Sequence, residues 1–378
     1  MIRIKGSSVK IIVTLAVVAL FAVSFKCFDS EAINLLCRAS LYSARTYIPT
    51  NENYNRAKDT AVIQTTEKVA ESVAKAEATE TMTENKADNS LLKTDKDIAD
   101  AVKQAEKNAV KDKKDGSIVE YTFTDDGATD SYGCVKVKNT NKTKINIESK
   151  LKEKLGLTVN KKEPSVLVYH THTTETYQLI DRDFYAQGFL SRSSNNNLNM
   201  VRVGKAIVEQ IEKSGFKVIH DTNIYDKTYS GAYYRSEDAA EAYLKKYPSI
   251  KITLDIHRDA IQDDYGVKTK PVAKVNGKKA AQIMIITGCQ EEGNGITDLP
   301  DWEKNLSFAL KLQHNMENSF PGLTRPVFFC DRSYNMGLTP YSLLVEVGSD
   351  ANTLDEAVYS GKMLGRAVSD LLKDYEEK

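Results

Sequence analysis

Three short stretches of this chain carry side chains that can hold a metal ion or move a proton. Residues 170–175 read His-Thr-His-Thr-Thr-Glu, residues 257–259 read His-Arg-Asp, and Glu346 interrupts an apolar run from Leu343 to Val347. The chain has five histidines, and three of them fall in the first two stretches. His172 and Glu175 stand three residues apart, a spacing at which one turn can aim both side chains at one ion. With His257 they make two imidazoles and one carboxylate, a donor set that holds catalytic zinc and leaves a fourth position for water. Zinc so held brings the pKa of a water to about 7 and polarises a carbonyl. A carboxylate must still take the water's proton and pass it to the leaving nitrogen. Glu346 is the candidate for that task, because a carboxylate inside an apolar strand is costly without a partner or a function. His170 and Arg258 stand as alternative ligands or as groups that hold the ligands from behind. Arg258 is also a candidate ion-pair partner for Glu346. His220 has no evident partner, and His314 reads as structural.

Taken singly, each feature has an ordinary explanation. A histidine at a strand end is usually a hydrogen-bonded core or surface residue, and the pattern H-x-x-E recurs by chance. The weight lies in their joint position, because each follows or lies within an apolar strand. Ser165–Tyr169 (SVLVY) precedes His170, Ile252–Ile256 (ITLDI) precedes His257, and Leu343–Val347 (LLVEV) contains Glu346. In α/β sheets functional groups gather beyond the carboxyl ends of strands. Helices alternate with these strands. Met200–Ser214 carries Met200, Val203, Ile207, Val208 and Ile211 on one face and stops at Gly215. Helices are also expected at Ile145–Leu155, Glu237–Lys246, Trp302–Ser319 and Thr353–Tyr375. Further strands are expected at Tyr121–Phe123, Val135–Val137, Lys217–Ile219 and Val327–Phe329. Val272–Val275 and Gln282–Thr287 read as a hairpin around Asn276-Gly277. The fold class is therefore α/β, a mainly parallel sheet with helices on both faces.

The N-terminal third has a different character. Residues 1–10 carry Arg3, Lys5 and Lys10 and no acid, and residues 11–25 (IIVTLAVVALFAVSF) are uncharged. This reads as a transmembrane anchor with a cytoplasmic N-terminus and everything else outside. A cleaved signal peptide is the competing reading, although Phe25 and Lys26 fit a cleavage site poorly. Residues 26–116 read as a juxtamembrane segment and a flexible charged tether, with no aromatic residue between Tyr54 and Tyr121. Parts of it, such as Asp97–Val110, are helical in pattern. Residues 117–378 form the expected extracytoplasmic zinc hydrolase domain.

Composition narrows the alternatives. Lys+Arg and Asp+Glu are both 52, and that zero balance argues against a nucleic-acid partner. The five cysteines contain no C-x-x-C pair, which argues against a zinc finger or a disulfide framework. No G-x-S-x-G elbow or P-loop occurs, and no cysteine has an evident base beside it.

The blocks VLVYHTHTTETY, LDIHRDA and SLLVEVGSDANTLDEA together resemble the signature blocks of the stage II sporulation protein P family, from about Val135 to the C-terminus. More distantly they resemble zinc-dependent N-acetylmuramoyl-L-alanine amidases, whose pattern carries over to His172, His257 and Glu346. The zinc glutamate of those amidases lies further from its first histidine than Glu175 lies from His172. Zinc carboxypeptidases do use H-x-x-E. The resemblance implies a zinc-amidase or carboxypeptidase-like fold with a Zn2+ cofactor, acting on peptidoglycan. It implies cleavage between muramic acid and the stem peptide, with endopeptidase action on cross-links besides, during engulfment of the forespore. Stage II sporulation proteins D and M are the implied partners. A zinc endopeptidase and a non-catalytic wall-binding scaffold are the alternatives.

Overall fold

A computed structural model describes residues 89–109 and 111–377. The anchor expected at residues 11–25, the signal-peptide alternative and most of the expected tether lie outside these residues. Among the described residues no helix is long and apolar enough to cross a membrane. In chain order the elements are α1 (Asn89–Leu92), α2 (Lys96–Ala109), β1 (Lys114–Tyr121), β2 (Asp130–Tyr132), β3 (Val135–Asn139), α3 (Ile147–Lys152), β4 (Pro164–Tyr169) and β5 (Phe184–Ala186). They continue with α4 (Met200–Lys213), β6 (Lys217–His220), α5 (Ala232–Lys246), β7 (Ile252–Asp259), β8 (Lys268–Val275), β9 (Lys278–Ala281) and β10 (Ile283–Gly288). The last are α6 (Trp302–Ser319), β11 (Val327–Cys330), β12 (Tyr341–Ser349) and α7 (Leu354–Lys373).

The main sheet has eight strands in the order β2-β3-β11-β10-β12-β7-β4-β6. Its β3–β11, β11–β10, β12–β7, β7–β4 and β4–β6 pairs are parallel, whereas β2–β3 and β10–β12 are antiparallel. The sheet is thus a parallel block β3-β11-β10 and a parallel block β12-β7-β4-β6 of opposite direction, joined at β10–β12, with β2 antiparallel at the edge. A parallel neighbour needs a long crossover, usually a helix. The link from β11 to β12, residues 331–340, contains no helix, and β12 pairs with β10, antiparallel to it.

Side-chain alternation assigns the two faces. Val166 and Val168 of β4, Ile252, Leu254 and Ile256 of β7, and Leu343, Val345 and Val347 of β12 pack with α4, α6 and α7 in the main core. Leu167 and Tyr169 of β4 point the other way, onto Ala240 and Tyr243 of α5. Leu344 of β12 joins a separate small cluster with Ile286. By the same alternation Asp255, His257 and Glu346 belong to the α5 face, opposite the three-helix layer.

Several features of the fold were not legible in the sequence. A second sheet, β5-β1-β8-β9, stands beside the main one. The hairpin around Asn276-Gly277 forms with both residues at positive φ, but it joins β8 to β9. The segment expected to close it, Gln282–Thr287, instead supplies β10 of the main sheet. Helix α2, within the stretch expected as tether, is packed: Ile98 is buried, and buried Arg202 of α4 pairs with Asp95 and Asp97. Lys362 of α7 reaches Asp95 as well. A buried guanidinium needs such carboxylates, so the folded unit takes in residues ahead of Ser117.

Helices α4 and α7 approach closely because Gly361 and Gly365 face α4. A Cβ at Gly365 would stand 2.4 Å from the Ile207 carbonyl oxygen and 2.9 Å from Gln210 Cβ. Gly365→Ala should therefore destabilise the domain by about 1–3 kcal/mol, the usual cost of overpacking. An unchanged midpoint in denaturant unfolding would contradict that packing.

Candidate metal centre

The loop after β4 is fixed residue by residue. Thr171 donates from N and Oγ1 to the two oxygens of Asp255 (2.8 and 2.6 Å). Thr173 Oγ1 donates to the His170 carbonyl, and Thr174 donates from N and Oγ1 to Asp226. Thr176 Oγ1 donates to the Leu190 carbonyl. The run of threonines thus replaces regular secondary structure with side-chain ties. The Glu175 N–H closes the turn on the His172 carbonyl at 3.1 Å. That turn puts His172 and Glu175 on one side, as the three-residue spacing suggests.

His172, Glu175 and His257 come together. The His172 and His257 rings lie 5.3 Å apart at 88°. Glu175 Oε2 is 3.9 Å from His257 Nδ1 and accepts from the Arg258 backbone N–H at 3.3 Å. His257 Nε2 lies 2.9 Å from Asp255 Oδ1, within ion-pair reach but off line for a hydrogen bond. This orients the ring with Nδ1 toward Glu175, the arrangement in which a carboxylate backs a ligating imidazole. His172 Nδ1 is buried with no hydrogen-bond partner. Tyr229 stacks on the His172 ring at 4.7 Å, and Tyr233 meets it edge-on at 5.5 Å.

Glu346 pairs in register with His257 across β12 and β7. Its Oε2 is shut off from solvent and has no partner. Burial, then the neighbouring Asp259 charge, raises its pKa to about 8 against the opposing pull of His257. Burial, then the His257 charge, lowers His172 to about 3, so its imidazole is neutral and ready to donate a lone pair. Burial also depresses His257, but Asp255, Glu175 and Glu346 outweigh it and raise the pKa to about 9.

These groups fit a zinc ion in chemistry: two imidazoles, one carboxylate, a partnerless buried nitrogen and a carboxylate behind one ring. They are not drawn tightly together. Among the described residues, the one trio of candidate donors within 4.8 Å of one another is Glu120, Asp181 and Glu356. Lys270 lies against all three of those acids, and Lys279 against two, so their charge is already matched.

The remaining sequence candidates take other places. His170 is fully buried and turned away, with Nδ1 3.1 Å from the Ile256 carbonyl and Nε2 3.0 Å from His220 Nε2. Both its nitrogens are engaged, so it does not stand as an alternative ligand here, and His220 has the partner that the sequence did not reveal. Gly204 of α4 makes room for the pair, since a Cβ there would lie 2.5 Å from His170. The Arg258 side chain binds the Thr176 and Ser191 carbonyls, not Glu346. It holds the loop that carries Glu175. Asp255, Tyr229 and Tyr233 were missed. Asp255 had a signal, as an acid in the apolar strand Ile252–Ile256; the tyrosines had none, being ordinary helix and loop residues.

A metal at His257 must displace a proton, because the ring is charged below about pH 9. Apparent zinc affinity should then rise roughly tenfold per pH unit between pH 6 and 8, as ligand deprotonation dictates. Chelator-competition titrations at three pH values measure this; a flat profile would remove His257 from the ligand set.

The family described as stage II sporulation protein P matches residues 41–369. Stage II sporulation protein P of Bacillus subtilis (strain 168) is 26% identical over 224 residues, covering 56% of this chain and 52% of that protein. The match thus spans about half the length of that relative. Partial structural likenesses include the CwlD amidase from Clostridioides difficile in complex with the GerS lipoprotein, at 11% identity and TM-score 0.35, covering 56% of this chain and 98% of that one. The N-acetylmuramoyl-L-alanine amidase AmiC2 of Nostoc punctiforme is another, at 13% identity and TM-score 0.32, covering 57% and 98%.

Proposed function

This chain belongs to the stage II sporulation protein P family, and from that premise we propose that it is a zinc-dependent N-acetylmuramoyl-L-alanine amidase acting on peptidoglycan in sporulation. The observation that carries the proposal is the meeting of His172, Glu175, His257 and Glu346 on one face, with His172 Nδ1 and Glu346 Oε2 buried and partnerless. His172, Glu175 and His257 would hold the ion. When bound, zinc supplies Lewis-acid chemistry, acidifying a water and polarising the amide carbonyl.

The chain's own residues do the rest. Glu346, in its ionised form, takes the water's proton on Oε2 and returns it to the departing amide nitrogen. Asp255 keeps the His257 ring oriented, and Arg258 keeps Glu175 in place through the backbone N–H and the loop carbonyls. Tyr229 and Tyr233 wall the histidines and keep water from their faces. The domain layout of the sequence reading is part of the proposal: a cytoplasmic N-terminus, a membrane anchor at residues 11–25, a tether, and an external hydrolase. So are stage II sporulation proteins D and M as partners.

Digestion of purified peptidoglycan, with product masses, tests the reaction. An amidase releases stem peptides with a free alanine N-terminus and leaves sugar-only glycan. Products cut only within cross-links would make the chain an endopeptidase instead. No product from zinc-loaded protein would leave a wall-binding scaffold.

A further inference from the structure

Arg192 stands at the rim of this site, and none of the chemistry above uses it. Its residue pairs with Glu175 in a short antiparallel bridge. Its Nη1 donates to Asp226 and to Thr174 Oγ1. Asp226 is itself buried, and it also accepts from Thr174 N and Oγ1, so this anchor is rigid. The guanidinium lies 5.2 Å from the centre of the Tyr229 ring, the ring that stacks on His172. Nη2 is 3.6 Å from Glu175 Oε1, too far for a hydrogen bond. Nη2 is thus ion-paired with Glu175 without a hydrogen bond, and the Arg192 side chain is 37% exposed. Tyr229 beside it is 57% exposed.

A guanidinium held by Asp226 through Nη1 and paired only at 3.6 Å with Glu175 through Nη2 can still offer Nε and Nη2 as two parallel donors to a carboxylate. An exposed aromatic ring backs it, and the proposed metal donors are its neighbours. We infer that Arg192 and Tyr229 form a subsite for a substrate carboxylate, so that the chain selects an acidic residue next to the amide it cleaves. This rests on the hydrolase reading above. In peptidoglycan the stem residue after the first alanine carries an α-carboxyl group that is either free or amidated. The subsite favours the free acid.

The test compares N-acetylmuramoyl-L-alanyl-D-isoglutamate with its isoglutamine amide, using the full chain. Wild type should prefer the acid about tenfold, chiefly through KM, as charge-assisted hydrogen bonds allow. In Arg192→Gln the ratio should fall to about one, and Arg192→Lys should keep part of it. A wild-type ratio of one, or an undiminished ratio in Arg192→Gln, overturns the inference. Loss of zinc from Arg192→Gln would also overturn it, because Arg192 would then be a positioning residue for Glu175. Calorimetric binding of the two compounds separates this idea from the hydrolase reading. If wild type binds the acid more tightly through Arg192 but cleaves neither compound, the hydrolase reading fails and the subsite stands. If it cleaves both and binds them equally, the subsite fails alone.

Discussion

Glu346→Gln should lower turnover on peptidoglycan by about 10²–10⁴-fold, the usual worth of a general acid–base group, while zinc content and unfolding midpoint stay close to wild type. The substitution keeps the shape and removes only the capacity to take a proton. Glu346 Oε2 has no protein partner to lose, so a structural penalty has no evident source. Where Glu346 is ionised, the glutamine also removes a minor negative charge that helps to hold the His257 pKa up. The metal-free variant should therefore bind zinc no more weakly at neutral pH. Loss of zinc from Glu346→Gln, with retention in Glu175→Gln, would exchange the roles of the two carboxylates. Both variants keeping zinc and full activity would dismiss the mechanism.

His257→Ala should lose the ion and with it all measurable hydrolysis, and His172→Ala should do the same. Each removes one of three protein donors, and an open catalytic site has no spare. Folding needs a separate check, because His257→Ala leaves Asp255 facing a gap. Asp255 still accepts two hydrogen bonds from Thr171, so the loop after β4 should persist. His257→Gln fills the gap without restoring an imidazole and should match the alanine variant in metal content. Full zinc occupancy in either His257 variant would contradict the site.

The sequence was most legible where a period or a spacing reports local geometry. The SVLVY and ITLDI strands and the α4, α6 and α7 helices follow from alternation or from 3.6-residue spacing, and each forms near the expected residues. The H-x-x-E turn formed because consecutive threonines tie the loop to Asp255 and Asp226, and those ties join residues 52 and 84 positions apart. Such partners leave no local pattern. The same limit hid the His170–His220 contact, where both rings depend on a glycine in α4. It also hid the antiparallel seam at β10–β12, because strand direction is set by connections and not by composition. Helix α2 was expected at Asp97–Val110 and forms at Lys96–Ala109, but its docking was hidden for another reason. Its composition is that of a solvated segment, and only the pairing of Asp95 and Asp97 with buried Arg202 shows that it docks.

Where the metal binds is the central claim, and the most direct measurement is the anomalous-scattering position of zinc in crystals of the loaded protein. The account predicts one peak, about 2.0–2.2 Å from one nitrogen each of His172 and His257 and from a Glu175 oxygen, with Glu346 near it and not bonded. A peak within the Glu120, Asp181 and Glu356 cluster, or none on the α5 face beside His257, would contradict it.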